Sequence, residues 1–346
     1  MARSGLWRIA ALFPIAAWAF HPLPSHTLES AAAASPPAGE AAAAPPRGAP
    51  SGLDLVFFSV RQGDATLIRT PDGRNILIDG GVCRTVWNRF DAAERVIIPY
   101  LREEGISRLD LVVGTHPDFD HIGGLLTIVS DERIEIGCYL DPGKEHDTEV
   151  YQRLLRKVKD RNIPYRLGRA GMKLDFGPGV DAEILSPPKI LGSANDCSIV
   201  LRLQFGKVSF LLTGDAEEEA EIRMKSRYGR RLASTVLKAG HHGSRNSSGE
   251  LFLDMVSPKL VVVSAGARNK FGHPHKEALD RFAGVGATVY RTDEMGTIVM
   301  RTDGKRILVS KRRIPPPAAP PRRGGEDGGG VSERGGAGGL NPPAVS

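Results

Sequence analysis

Thr115-His-Pro-Asp-Phe-Asp-His-Ile-Gly-Gly124 carries two histidines and two carboxylates between His116 and His121, directly after the apolar run Leu109–Val113. The run reads as a strand that ends at Gly114-Thr115, and the apolar spacing from Ile122 to Val129 reads as a helix, so the polar cluster falls on a strand–loop–helix turn. On such a turn His116, Asp118, Asp120 and His121 converge on one small volume, and Pro117 and the Gly123-Gly124 pair restrict it. Neutral imidazole and ionised carboxylate are the donors of divalent Zn, Mn or Fe, and no cationic side chain stands among them to balance the charge.

The other histidines gather in the same way. Of nine, His21 and His26 fall near the start and His146 stands alone; the remaining six form three patches, THPDFDH, GHHGS (Gly240–Ser244) and FGHPH (Phe271–His275). Each patch follows a strand-like apolar run, the latter two after Ser234–Leu237 and Leu260–Val263, which places all three at one edge of a layered sheet. In GHHGS two adjacent histidines point different ways from an extended chain, so one is a metal donor and its neighbour touches substrate or supports the donors. Asp79, in Asn75–Gly81 (NILIDGG), and Asp215, in Phe210–Asp215 (FLLTGD), are matching carboxylates set beside glycine at the end of an apolar strand.

Outward from these patches, the 346 residues are 41% hydrophobic and 25% charged, enough for a sizeable core in one large or two modest domains. The formal charge of +6 suits an anionic partner, although many of the cations lie in the two tails. Aromatics make up 6% and no basic run is interleaved with them, so the linear sequence marks no nucleic-acid groove. Residues 1–34 contain the apolar run Leu6–Phe20 behind Arg3 and before A-x-A sites near Ala31–Ala34, the pattern of a signal peptide or of an uncleaved N-terminal anchor, and both imply an extracytoplasmic, periplasmic or secreted location. Residues 35–52, rich in Ala, Pro and Gly, read as a linker; 53–312 form the folded domain; 313–346, rich in Pro, Gly and Arg, read as a disordered tail. Cys83, Cys138 and Cys197 are too far apart for a metal knuckle and read as free thiols, with one disulfide as the alternative.

Strands are expected at Leu53–Val60, Ala65–Thr70, Asn75–Gly81, Ile134–Leu140, near Tyr165–Leu167, Met172–Phe176 and Val180–Ser186, with helices at Asp91–Glu104 and Asp147–Arg161. Together these make a first β-rich half. A second half runs from the Ser198–Gln204 and Lys207–Thr213 hairpin through helix Ala216–Arg227, strands Ser234–Ala239 and Leu260–Ala265, helix Lys276–Phe282 and three closing strands after Ala287. Two β halves, each backed by helices, define the fold class as α/β (α+β), a four-layer αββα sandwich.

Val60–Ala65 (VRQGDA), LIDGG, THPDFDHIGG, Asn195–Leu203 (NDCSIVLRL), FLLTGD, Leu237–Ser244 (LKAGHHGS) and the FGHPH loop occur together and in order. In these segments the chain resembles the metallo-β-lactamase superfamily, and within it the ComEC-like competence hydrolase branch, over about Leu53–Val309. The resemblance implies a hydrolase with two divalent metal ions (Zn or Mn, or Fe) and a metal-bound hydroxide as nucleophile. His116 and Asp118 would bind one ion, and Asp120 and His121 the other. Asp215 would bridge them, His241 or His242 would complete a shell, and Asp79 would orient the metal loop. Asp118 stands where the superfamily at large has histidine, and Arg61 stands where the branch has glycine. Asn195 or Asp196 lies near the place of the absent third-motif histidine.

The resemblance also implies a phosphodiesterase, with a phosphodiester such as single-stranded DNA as substrate, and a membrane DNA-uptake channel as partner, since this chain has no membrane-spanning core of its own. Ser244, Asn269, His273 and Asp196 are the candidate substrate contacts, and His242 the candidate proton donor. Hydrolysis of small envelope phosphodiesters is the second enzymatic reading. A metal-stabilised envelope module that binds DNA or a channel subunit without turnover is the non-enzymatic one.

Overall fold

The computed structural model describes residues 50–86 and 88–314. The leader, nearly all of the linker and the tail beyond Ile314 lie outside the described residues. Along the chain, β1 (Leu53–Phe57), β2 (Thr66–Arg69) and β3 (Asn75–Ile78) precede a helical segment that begins as a π turn over Ala93–Ile97 and continues as α1 (Ile98–Glu103). Next come β4 (Arg108–Leu109), β5 (Leu111–Val113), α2 (Phe119–Ser130), β6 (Glu135–Ile136), β7 (Tyr139–Asp141), α3 (Glu149–Asp160) and β8 (Tyr165–Leu167). The second part holds β9 (Lys173–Asp175), β10 (Val180–Ser186), β11 (Val200–Phe205), β12 (Val208–Leu212), α4 (Glu218–Tyr228), β13 (Val236–Lys238) and α5 (Glu250–Val256). It ends with β14 (Leu260–Val263), α6 (Lys276–Gly284), β15 (Thr288–Arg291), the one-turn α7 (Thr292–Met295), β16 (Thr297–Thr302) and β17 (Ile307–Arg312).

The strands build an eight-stranded sheet, β17-β16-β1-β2-β3-β5-β7-β8, a seven-stranded sheet, β15-β14-β13-β12-β11-β10-β9, and a separate β4-β6 pair. Strand alternation sends side chains into separate cores. Leu55, Phe57, Ile76, Ile78 and Val113 meet Phe210, Leu212, Val236 and Val262 in the core between the sheets. Val56, Leu77 and Val112 face the other way, onto Leu101, Leu125 and Leu154 of α1, α2 and α3. Leu211, Leu237, Val261 and Val263 pack against Ala220, Phe252 and Phe282 of α4, α5 and α6. The result is four layers, helices–sheet–sheet–helices.

Membership of the sheets differs from the chain-halves expectation at both ends. β9 and β10 leave the first half for the seven-stranded sheet, and β16 and β17 return from the C-terminus to the eight-stranded one, where β16 pairs antiparallel with β1. Non-local pairing of this kind has no periodicity signature. Three local features also differ. Helix α2 begins at Phe119, so Asp120 and His121 sit on its first turn rather than in a loop, and α5 was not foreseen. The Ile134–Leu140 strand is two short pieces, β6 and β7. No helix among the described residues is long and apolar enough to cross a membrane.

Candidate metal centre

Parallel pairing sets the site. β3, β5 and β7 run parallel in one sheet and β12, β13 and β14 in the other, and the chemistry-bearing loops leave their C-terminal ends. Asp79 follows β3, His116 follows β5, Asp215 follows β12, and His241-His242 follow β13. Glycine makes the closest approach possible: a Cβ on Gly124 would lie 1.9 Å from the Gly80 carbonyl oxygen, so the N-terminal half of α2 sits directly on the loop after β3.

Asp79 has φ 57° and accepts three hydrogen bonds of 2.8 Å: from the Thr115 backbone N–H, the Thr115 hydroxyl and His121 Nδ1–H. Having donated to Asp79, the Thr115 hydroxyl accepts from His116 Nδ1–H at 3.1 Å. His242 Nδ1–H donates to the Ser264 carbonyl at 3.0 Å, and His241 Nδ1–H to Glu217 at 2.7 Å. Four imidazoles thus have Nδ1 engaged, which leaves Nε2 as the free donor atom.

Those free atoms converge. His121 Nε2 and His242 Nε2 lie 3.2 and 3.3 Å from Asp215 Oδ2, and His242 Nε2 lies 3.2 Å from Asp120. Asp64, His121, Asp215 and His242 each offer a donor atom within 4.8 Å of the others, and all four are buried. The His116 ring lies tilted against His121 with ring centroids 4.1 Å apart, and its Nε2 is 3.6 Å from Asp118. His116 Nε2, His121 Nε2, His242 Nε2 and one oxygen each of Asp64 and Asp215 are buried without a hydrogen-bond partner. Orphaned Nε2 atoms of this type, two of them within 3.3 Å of Asp215 Oδ2, fit a divalent cation.

Electrostatics agree. Burial by itself would raise the Asp120 and Asp215 pKa, but the imidazoles of His121 and His242 outweigh it and hold both carboxyls below the usual range. Burial likewise works against protonating His242, yet Asp215, Asp64 and Asp120 push its pKa up to about 10. His121 is raised well above its ordinary value in the same way, by Asp215 and Asp79. Without a metal the cluster draws in positive charge as protons.

The two histidines of GHHGS diverge as expected, although from consecutive left-handed residues (φ 44° and 54°) rather than an extended chain. His242 is 1% exposed at the centre, whereas the His241 side chain is 26% exposed with Nε2 3.8 Å from Asp215. Of the candidate substrate contacts, only His273 joins the site, its ring 5.2 Å from His241 and 6.0 Å from His242. Asn269 spends its amide on the loop, donating to Gly266 and His273 carbonyls and accepting from Phe271 and His273 N–H. Asp196 accepts from the Ala220 N–H and the Ser193 hydroxyl, and buried Ser244 accepts from Asn246 N–H. These three shape loops. Asn195 approaches the centre, its amide 3.4 Å from His241 Nδ1.

The sequence reading assigned no role to Asp64, Lys238 or Glu217. Asp64 had a signal: Gly63-Asp64 repeats the glycine–carboxylate pattern of Asp79-Gly80 and Gly214-Asp215. The turn that carries it forms with Arg61 at φ 66°, so this non-glycine residue takes the left-handed backbone. His146, alone in the sequence, comes to 4.0 Å from Asp118.

This chain belongs to the metallo-β-lactamase superfamily, whose family description matches residues 59–267. It is similar to competence proteins of the ComEC type. It is 32% identical over 263 residues to ComE operon protein 3 of Bacillus subtilis, covering 72% of this chain and 33% of that protein. Competence protein ComA of Neisseria gonorrhoeae is 32% identical, covering 70% of this chain and 31% of ComA. Recombination protein 2 of Haemophilus influenzae is 31% identical, covering 74% and 30% respectively. The chain thus spans about a third of the length of these relatives.

Proposed function

We propose that the chain is a metal-dependent phosphodiesterase that acts outside the cytoplasmic membrane, with single-stranded DNA as a substrate. The observation that carries the hydrolase reading is the set of buried, partnerless Nε2 atoms, those of His121 and His242 facing Asp215 and that of His116 facing Asp118. His116, Asp118 and Asp215 would hold one ion, and Asp120, His121, Asp215 and His242 the other. His242 is preferred to His241 because its Nε2 is the deeper and nearer to Asp215. Divalent ions there supply Lewis acidity toward a phosphoryl oxygen and lower the pKa of water.

The chain's own residues do the rest. Asp79 and Thr115 fix the rings of His121 and His116, and Glu217 fixes His241. Burial, with His242, His241 and His275 around it, lowers the His273 pKa to about 4, so this ring is neutral at physiological pH. Gln62 accepts from the Gly266 N–H, which turns its amide nitrogen toward His273 Nδ1 at 3.5 Å. His273 then presents Nε2–H, a donor suited to a substrate oxygen. The phosphodiester class is supported by the competence relatives and, more weakly, by the +6 charge. The location is supported by the apolar segment Leu6–Phe20.

The test is a panel: protein loaded in turn with Mn and Zn, assayed on bis-(p-nitrophenyl) phosphate, single-stranded DNA and a chromogenic β-lactam. Cleavage of the first two is expected. Cleavage of the β-lactam alone overturns the reading, and cleavage of none by metal-bearing protein favours a binding module without turnover.

A further inference from the structure

Lys238, the last residue of β13, is 3% exposed. Its ammonium donates to the Gly214 carbonyl at 2.9 Å, contacts the Asp64 carboxylate directly, and lies 3.8 Å from Asp215 Oδ1. Asp64 is itself placed behind the imidazoles: its oxygens face the Nδ1 side, 3.3 Å from His242 Nδ1 and 4.0 Å from His121 Nδ1. Those nitrogens already donate to Ser264 and Asp79, and the free Nε2 atoms point the other way, toward Asp215 Oδ2. The buried quartet therefore has two layers. Asp215 spans them, with Oδ2 among the donor nitrogens and Oδ1 turned to the lysine.

We infer that Lys238 is a resident cation that keeps this centre assembled in the metal-free protein and positions Asp215 so that Oδ2 faces the ligand nitrogens. Asp64, Asp79 and Asp215 are buried carboxylates within one small volume, and an uncompensated buried charge is strongly destabilising, whereas removing both members of a buried pair is close to neutral. A centre with its own cation does not depend on the metal to hold it together, so it can lose and regain ions without unfolding. Lys238 acts through Asp64 and Asp215, and is a positioning residue. The inference rests on the metal-centre reading only for its second half.

The experiment compares the full-length wild type, Lys238→Met and the double variant D64N/K238M by thermal unfolding, first stripped with EDTA and then saturated with Mn. Stripped K238M should melt about 10 °C below the wild type. Mn should recover most of that loss, since an ion held by the Nε2 atoms and Asp215 Oδ2 would tie the centre together in place of the lysine, and the stripped double variant should melt near the wild type. An equal fall of K238M with and without Mn, no fall, or a double variant as unstable as the single one overturns the inference. If K238M does not fold without metal, the double variant decides: a folded protein supports the inference and an unfolded one overturns it. A wild type that takes up no Mn would instead defeat the metal reading, leaving the metal-free comparison to judge the Lys238–Asp64 pair.

Discussion

Asp79 shows how one carboxylate can organise a centre without being a donor. It accepts from Thr115 twice and from His121, and Thr115 in turn holds His116, so two rings take their orientation from a single side chain. Asp79→Asn would keep the left-handed backbone, which asparagine tolerates, but would set an amide N–H against one of these donors. Removing such an outer partner typically costs 10–100-fold in metal affinity. Titration of stripped D79N with Mn should show a loss of about that size with little change in secondary structure. Unchanged affinity would remove Asp79 from the orienting role.

At the scale of elements, the centre depends on α2 lying against the loop after β3. Gly80 N–H donates to the His121 carbonyl and Gly124 N–H to the Gly81 carbonyl, both at 2.7 Å, and no room remains between them. Gly124→Ala would drive its methyl into the Gly80 carbonyl oxygen and force the helix outward. Overpacking of this kind costs about 3 kcal/mol. Denaturant unfolding should show that loss, accompanied by weaker Mn binding because the same helix carries Asp120 and His121. A stability loss with metal affinity intact would mean that the donors tolerate displacement of their helix.

At the scale of the molecule, the charge balance of the centre sets the pH dependence. In the metal-free protein His242 has a folded pKa of about 10 against an ordinary value of 6.5. Its protonation therefore contributes stability that is fully present below pH 6.5 and is lost as pH rises through about 10, on the order of a few kcal/mol. An ion held at Nε2 would take the place of that proton and flatten this slope. Unfolding free energies measured from pH 6.5 to 10 should fall for EDTA-treated protein and stay nearly level for Mn-loaded protein; parallel curves would refute the account.

Much of the architecture could be read from local pattern. Apolar runs ending in glycine and a carboxylate marked the ends of β3 and β12, clustered histidines marked the loops after β5 and β13, and the order of segments indicated the family. What needed the third dimension was long-range pairing. The return of β16 and β17 to the N-terminal sheet, the placing of Asp64 behind His242, and the burial of His242 rather than His241 depend on which distant backbones touch. A stretch of sequence states its own periodicity and its own donors, but the burial that leaves an imidazole without a partner, or sets a lysine beside two aspartates, exists only once the layers have closed.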